Sequence, residues 1–199
     1  GDILNASIGQ GDDAFTPIQL ATYAATIANK GVRLQTHIVD KKTDYSRQNV
    51  MEQYDSENPN VITNTEVSQE NLNLVKEAMR QVVVNPRGTA NHYFGDYPIA
   101  VAAKTGTAQL GTKAQQIPDH TTFIAFAPYD DPEIAVAVVI EHGSKTQFPA
   151  DVAKAIFDAY FFGTGMEDIA PTNPDGSTTP STDGDTASSQ GEDTSSSQA

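Results

Sequence analysis

Lys104-Thr105-Gly106-Thr107-Ala108 lies inside a longer stretch, 99–110, that reads as a β-strand. On a strand, positions two apart share a face. Thr105 and Thr107 are therefore expected to present two hydroxyls on one side, with the Lys104 ammonium beside them. That grouping suits a carboxylate, because hydrogen bonds involving a charged partner are the strong ones. Gly106 allows a second backbone or a substrate to come close. The backbone N–H near Thr107 is a candidate donor to a developing oxyanion. A solvent-facing strand end with a bulge-forming glycine would carry the same string, so the string alone leaves both readings open.

The sequence after it continues in strands. Residues 122–127 and 134–141 are two more candidates, and Pro128-Tyr129-Asp130-Asp131-Pro132 between them suits a hairpin. The run Ile134-Ala135-Val136-Ala137-Val138-Val139-Ile140 does not alternate, which predicts cover on both faces. Helices are expected on either side. Thr16-Pro17-Ile18-Gln19 combines an N-cap threonine, a proline at the first helical position and a glutamine three residues after the cap. A helix should run on from there through the alanine-rich stretch and stop near Gly31. A second helix is predicted over 69–84, with Ser68 as cap and Leu72, Val75, Met79 and Val82 on one face. Asn85-Pro86 ends it. A third is predicted over 150–162, with Val152, Ile156 and Tyr160 spaced by four. Residues 32–64 carry weaker signals: a strand near 32–39 and short strands near Val50 and Val61.

Composition narrows the function classes. The chain has 199 residues, enough for one domain with a real core. Its 12 Lys and Arg against 26 Asp and Glu give a net charge of −14, which repels phosphate backbones and argues against nucleic acid as a partner. Cysteine is absent, which excludes disulfides, thiolate metal sites and a cysteine nucleophile. His37, His92, His120 and His142 lack metal-ligand spacing, so no metal is expected. No apolar run approaches 18 residues. From Pro171 to Ala199 there is no Lys, Arg or large apolar residue, so 164–199 is expected to be a disordered acidic tail and 1–163 the folded part. Gly1 opens directly into motif-like sequence, which suggests a chain that starts inside a domain.

Several motifs occur in a telling order. Asn5-Ala6-Ser7-Ile8-Gly9-Gln10-Gly11 precedes the Thr16-Pro17 helix, which leads into Ile27-Ala28-Asn29-Lys30-Gly31. Arg87-Gly88-Thr89-Ala90 and then Lys104 to Gln109 follow. This order resembles the class B penicillin-binding proteins, the transpeptidases that cross-link peptidoglycan, and Lys-Thr-Gly is itself one of their signatures. The resemblance extends over about 1–163. It implies an α+β fold, an antiparallel sheet covered by helices, as the C-terminal portion of a serine transpeptidase or β-lactamase-like domain. It implies that Lys104, Thr105, Gly106 and Thr107 bind the substrate, that Thr105 and Thr107 with Lys104 orient the terminal carboxylate, and that Lys104 and Thr107 are catalytic. The Thr107 N–H would complete the oxyanion hole. Implied partners are peptidoglycan stem peptides, β-lactam antibiotics and the upstream half of the chain's own domain, with no metal or organic cofactor. The implied location is the extracytoplasmic face of the bacterial membrane, held by an N-terminal anchor outside this chain.

Two family motifs depart from the pattern. No serine here has a lysine three residues later, so the Ser-x-x-Lys nucleophile motif is missing and the chain alone is expected to be inactive. Ser56-Glu57-Asn58 fits Ser-x-Asn, but it follows the Gly-Gln-Gly turn, whereas the family's copy precedes it; it is read as a chance match. A serine β-lactamase or D,D-carboxypeptidase shares the Lys-Thr-Gly strand, and a noncatalytic peptidoglycan-binding homologue would also lack the serine. Gln10 is read as part of a turn shaping the cleft floor. Asp12-Asp13 and Asp130-Asp131 are read as turn residues, and Tyr93, Phe94 and Tyr97 as packing.

Overall fold

The computed structural model describes residues 2–6, 9–10, 14–55, 57–110 and 117–164. The expected tail lies outside them, apart from Thr164, as does Ser56. The element order is α1 (Asp2–Ala6), α2 (Pro17–Ala28), β1 (Val32–Leu34), β2 (Lys41–Thr43), β3 (Val50–Gln53), β4 (Val61–Asn64), α3 (Gln69–Val84), α4 (Asn91–Phe94), β5 (Ala102–Ala108), β6 (His120–Ala127), β7 (Ile134–Ile140) and α5 (Gln147–Phe162). The fold is α+β.

The central sheet is antiparallel in the order β5-β6-β7, with Thr105 opposite Phe123 and Phe123 opposite Val138. The expected hairpin joins β6 to β7, and Glu133 N–H closes it on the Ala127 carbonyl at 2.9 Å. The alternation along β6 feeds two cores. Phe123, Ala125 and Ala127 pack with Phe94, Val83 and Phe157 on one face. Phe126 and Ile124 pack with Ile27, Ala28 and Met79 on the other. Helix α2 therefore covers one face, α4 and α5 cover the opposite one, and α3 lies along β5 with a residue in each core. The β7 run has helices against both faces, as its lack of alternation predicts. Only Val136 is fully buried there, because β7 is an edge strand.

Local chemistry fixes the helix ends. The Thr16 hydroxyl accepts from Gln19 N–H, and the Gln19 side chain accepts from Thr16 N–H at 2.8 Å, so the capping box forms in full. Ser68 caps α3. Two helix faces differ from their sequence reading. On α3 the buried residues are Leu72, Met79 and Val83, while Val75 is exposed, because the helix turns Met79 towards the Phe126 core and Val83 towards the Phe123 core. On α5 the buried residues are Pro149, Ala150, Ala153 and Phe157; Val152, Ile156 and Tyr160 lie on the open side. Small alanines let the helix axis come close to the sheet, and the larger stripe cannot. The third helix also begins at Gln147 rather than 150. Helix α4 has no counterpart in the sequence reading, and Phe94 within it is buried against Phe123 and Phe157.

Residues 32–64 form a separate arm. It contains two two-stranded ladders, β1 with β4 and β2 with β3. Every residue of β3 and β4 is exposed. At the tip Asp44 accepts from Asn49 Nδ2 at 2.6 Å and from Ser46 Oγ at 2.7 Å, bonds that hold its carboxyl below the usual range.

On the far side, Tyr97 Oη donates to Asp158 Oδ1 and Lys154 Nζ donates to Asp158 Oδ2, both at 2.8 Å. Burial pushes the Asp158 carboxyl up, but the Lys154 and Tyr97 bonds outweigh it and hold the group below its ordinary value. A carboxyl depressed in the folded state adds stability above its unfolded pKa, near 4, which is lost as the pH falls through the lower folded value. The urea midpoint is expected to drop as the pH falls below about 4. In Tyr97→Phe the part of that drop due to Asp158 should shrink, and an unchanged acid limb would refute the assignment. The α5 faces are tested by substitution. Phe157, 0% exposed, should cost about 3–5 kcal/mol when changed to alanine. Tyr160, 52% exposed, should cost less than about 1 kcal/mol. Equal costs in urea denaturation would overturn the orientation.

Candidate active-site strand

Strand β5 carries the motif on an open side of the sheet. Its inner side pairs with β6, and no described strand pairs with its outer side. Three side chains reach that outer side and show which residues face it. Arg80 Nη1 donates to the Val101 carbonyl at 2.7 Å, Lys104 Nζ to that of Thr105 at 2.6 Å, and Gln10 Nε2 to that of Thr107 at 3.0 Å. The outward carbonyls belong to odd-numbered residues. In an antiparallel strand the N–H and C=O of one residue point the same way. The Thr107 N–H therefore also lies on the open edge, outside the β5–β6 ladder.

The four motif residues divide between the two faces. Lys104, opposite Ile124, lies on the face covered by α2 and is exposed. Thr105 and Thr107 share the other face, but their surroundings differ. Thr105 is 9% exposed and its hydroxyl lies 2.9 Å from the hydroxyl of Thr89. Thr107 is exposed and sits opposite Thr121, whose buried hydroxyl has no hydrogen-bond partner among the described residues. Gly106 sits opposite Thr122; a Cβ there would lie 2.2 Å from Thr122 Oγ1. The close approach that Gly106 permits is thus one within the sheet.

Aromatic and basic residues brace the start of β5. Arg80 and Lys76 both lie over the Tyr129 ring, at 5.8 and 4.9 Å from its centre. Tyr129 N–H donates to the Ala100 carbonyl at 2.7 Å, and its hydroxyl donates to Glu77 at 2.9 Å. Burial, followed by the nearby Glu77 carboxylate, pushes the Tyr129 hydroxyl pKa up. The Gln81 and Tyr129 bonds hold Glu77 down.

Sequence reasoning placed Gln10 in a turn and assigned Thr89 and Arg80 no role. Each touches β5 from a different segment, and the Gly-Thr-Ala string around Thr89 was the available signal. Glu57 and Asn58 lie in the arm, where both N–H groups donate to Asp55 Oδ1. His120, which pairs with Ala108 at the end of β5, meets His142 just after β7, where His142 N–H donates to His120 Nδ1 at 3.0 Å.

Comparison with known proteins agrees with this architecture. Residues 2–161 match the penicillin binding protein transpeptidase domain. The chain belongs to that family. It is 30% identical over 185 residues to the peptidoglycan D,D-transpeptidase MrdA of Escherichia coli K12, covering 87% of this chain and 28% of that protein. It is 31% identical over 173 residues to penicillin-binding protein 2A of Bacillus subtilis, covering 81% of this chain and 24% of the relative. Among solved structures, Pseudomonas aeruginosa PBP2 in complex with WCK 5153 superposes with a TM-score of 0.65 at 33% identity, over 81% of this chain and 34% of that one. The imipenem acyl-enzyme of penicillin-binding protein A from M. tuberculosis gives 0.64 at 30% identity, over 78% and 33%. The chain thus spans only about a quarter to a third of the relatives named here.

The Gly106 contact generates a prediction. Gly106→Ala should lower the melting temperature by several degrees, on the order of 1–2 kcal/mol, because Thr122 must change rotamer. Adding Thr122→Ala should recover most of the loss. A double variant no more stable than Gly106→Ala would show that the contact with Thr122 is not the constraint.

Proposed function

We propose that this chain supplies the carboxylate-binding strand and oxyanion donor of a peptidoglycan D,D-transpeptidase that works through a serine acyl-enzyme. The observation that carries the reading is the Lys104–Thr107 segment on an open strand edge, with the Thr107 N–H outside the ladder. In this reading a serine outside these residues attacks the penultimate carbonyl of a D-Ala-D-Ala stem peptide. A bond forms from its Oγ to the carbonyl carbon, and the terminal D-Ala leaves with its nitrogen protonated. An amine of a neighbouring strand then takes the acyl group and releases the serine. Lys104, Thr105 and Thr107 orient the terminal carboxylate, and the Thr107 N–H stabilises the oxyanion. A β-lactam enters the same site and stays on the serine. The imipenem and penicillin G acyl-enzyme complexes of penicillin-binding protein A from M. tuberculosis support that reading.

The Ser-x-x-Lys half of the domain is then a partner of this chain. Exposed Phe15, Ile18 and Tyr23 on and beside α2 are surface that such a half can cover. A peptidoglycan substrate also places the site on the extracytoplasmic face of the membrane, with the anchor in sequence outside this chain.

The test uses a β-lactam as probe. Incubated with penicillin G, this chain alone should show no mass increase. A stoichiometric adduct on any of its serines would overturn the placement of the nucleophile elsewhere. In the complete transpeptidase, Lys104→Ala should lower acylation efficiency roughly 10- to 150-fold, the worth of a hydrogen bond to a charged group. Wild-type rates in that variant would remove Lys104 from the site.

A further inference from the structure

We propose that Thr89 is a positioning residue that fixes the direction of the Thr105 hydroxyl proton, and through it the preference for substrates with a free carboxylate. The inference rests on the reading of Thr105 given above and adds a residue to it.

The argument begins with proton counting. A threonine hydroxyl has one proton to donate and two lone pairs to accept with. Thr89 Oγ1 and Thr105 Oγ1 lie 2.9 Å apart, so one of them donates to the other. If Thr105 donates, its only proton is consumed, and it offers a carboxylate nothing but lone pairs. If Thr89 donates, the Thr105 proton is free to point at an anion. An ionised carboxylate only accepts, so only the second arrangement binds one. Accepting from Thr89 also polarises the Thr105 O–H and strengthens the bond it gives.

Thr89 is held firmly enough for this task. It sits in the turn from α3 to α4. Gly88 N–H donates to the Asn85 carbonyl at 2.7 Å, and Ala90 N–H donates to that of Val82 at 3.1 Å. Asn91 Nδ2 donates to the Val83 carbonyl at 2.8 Å. A Cβ on Gly88 would lie 2.2 Å from the Val82 carbonyl oxygen, so the turn has little freedom to relax. Ala90 beside it is fully buried. Thr89 itself is exposed, and Thr105 is its one hydrogen-bond partner among the described residues. An exposed threonine whose single bond is to the motif strand can be changed with little effect on the core.

The experiment compares Thr89→Val, Thr89→Ser, Thr105→Val and the double Thr89→Val/Thr105→Val in the complete transpeptidase. The substrate is one acyl donor in carboxylate and carboxamide forms. Thr89→Val should lower kcat/KM roughly 3- to 10-fold for the carboxylate, mainly through KM, the worth of one neutral hydrogen bond. The carboxamide should be nearly unaffected. Thr89→Ser should restore the carboxylate rate, and the double variant should be no worse than Thr105→Val. Equal losses on both substrates, additive losses in the double variant, or no loss at all would each overturn the proposal. If Thr105→Val alone fails to discriminate between the two substrates, the reading of Thr105 falls and this inference falls with it. If Thr105→Val discriminates and Thr89→Val does not, only the inference falls.

Discussion

Strand β6 has both faces buried and both edges paired, and the rest of the molecule is arranged around that constraint. Its alternation sends Phe123 into one core and Phe126 into the other. Each core then needs its own helix, so α2 and α5 are held on opposite sides of three strands. A one-residue slip of β6 against β5 would turn Phe123 and Phe126 to the opposite faces or, if β6 kept its place, turn Thr105 and Thr107 instead. The face on which Thr105 and Thr107 lie is set by the Thr105–Phe123 pairing. Packing and chemistry therefore rest on one register.

That register also explains why the motif residues are small. Ala102, Ala103, Thr105 and Gly106 lie where the strand is pressed between two cores and against β6. Lys104 alone is long, and it emerges where α2 leaves the sheet uncovered. No described strand pairs with the outer edge of β5, but its carbonyls are not bare. Arg80, Lys104 and Gln10 each reach one of them, from α3, from the strand itself and from the segment after α1. An edge bonded by side chains can exchange those partners for another backbone or a ligand. A paired edge cannot.

Two groups of apolar residues are exposed on the described surface. Phe15, Ile18 and Tyr23 stand near α2, and Val152, Ile156 and Tyr160 form a stripe on α5. The first group lies on the α2 side, as Lys104 does. The α5 stripe lies on the far side, behind the alanine face that meets the sheet. Both helices have the spacing of amphipathic segments, but the face of α5 that meets the sheet is Ala150, Ala153 and Phe157.

Features set by near neighbours were legible in the amino-acid order. The capping box of Thr16 and Gln19, the extents of α2 and α3, the β6–β7 hairpin and the shared face of Thr105 and Thr107 all depend on residues a few positions apart. Local periodicity and turn chemistry encode such features directly. The motif order from Gln10 to Lys104 carries the family resemblance in the sequence itself. The tertiary structure alone decided which stripe of α5 is buried, because that choice depends on how closely a helix can approach β6 and β7. It alone joined Gln10 to Thr107 across 97 positions, Arg80 to Val101 across 21 and Thr89 to Thr105 across 16. Those bonds connect segments whose own sequences contain no record of each other. They exist because the β5–β6–β7 register and the turn after α3 bring the donors and acceptors within reach.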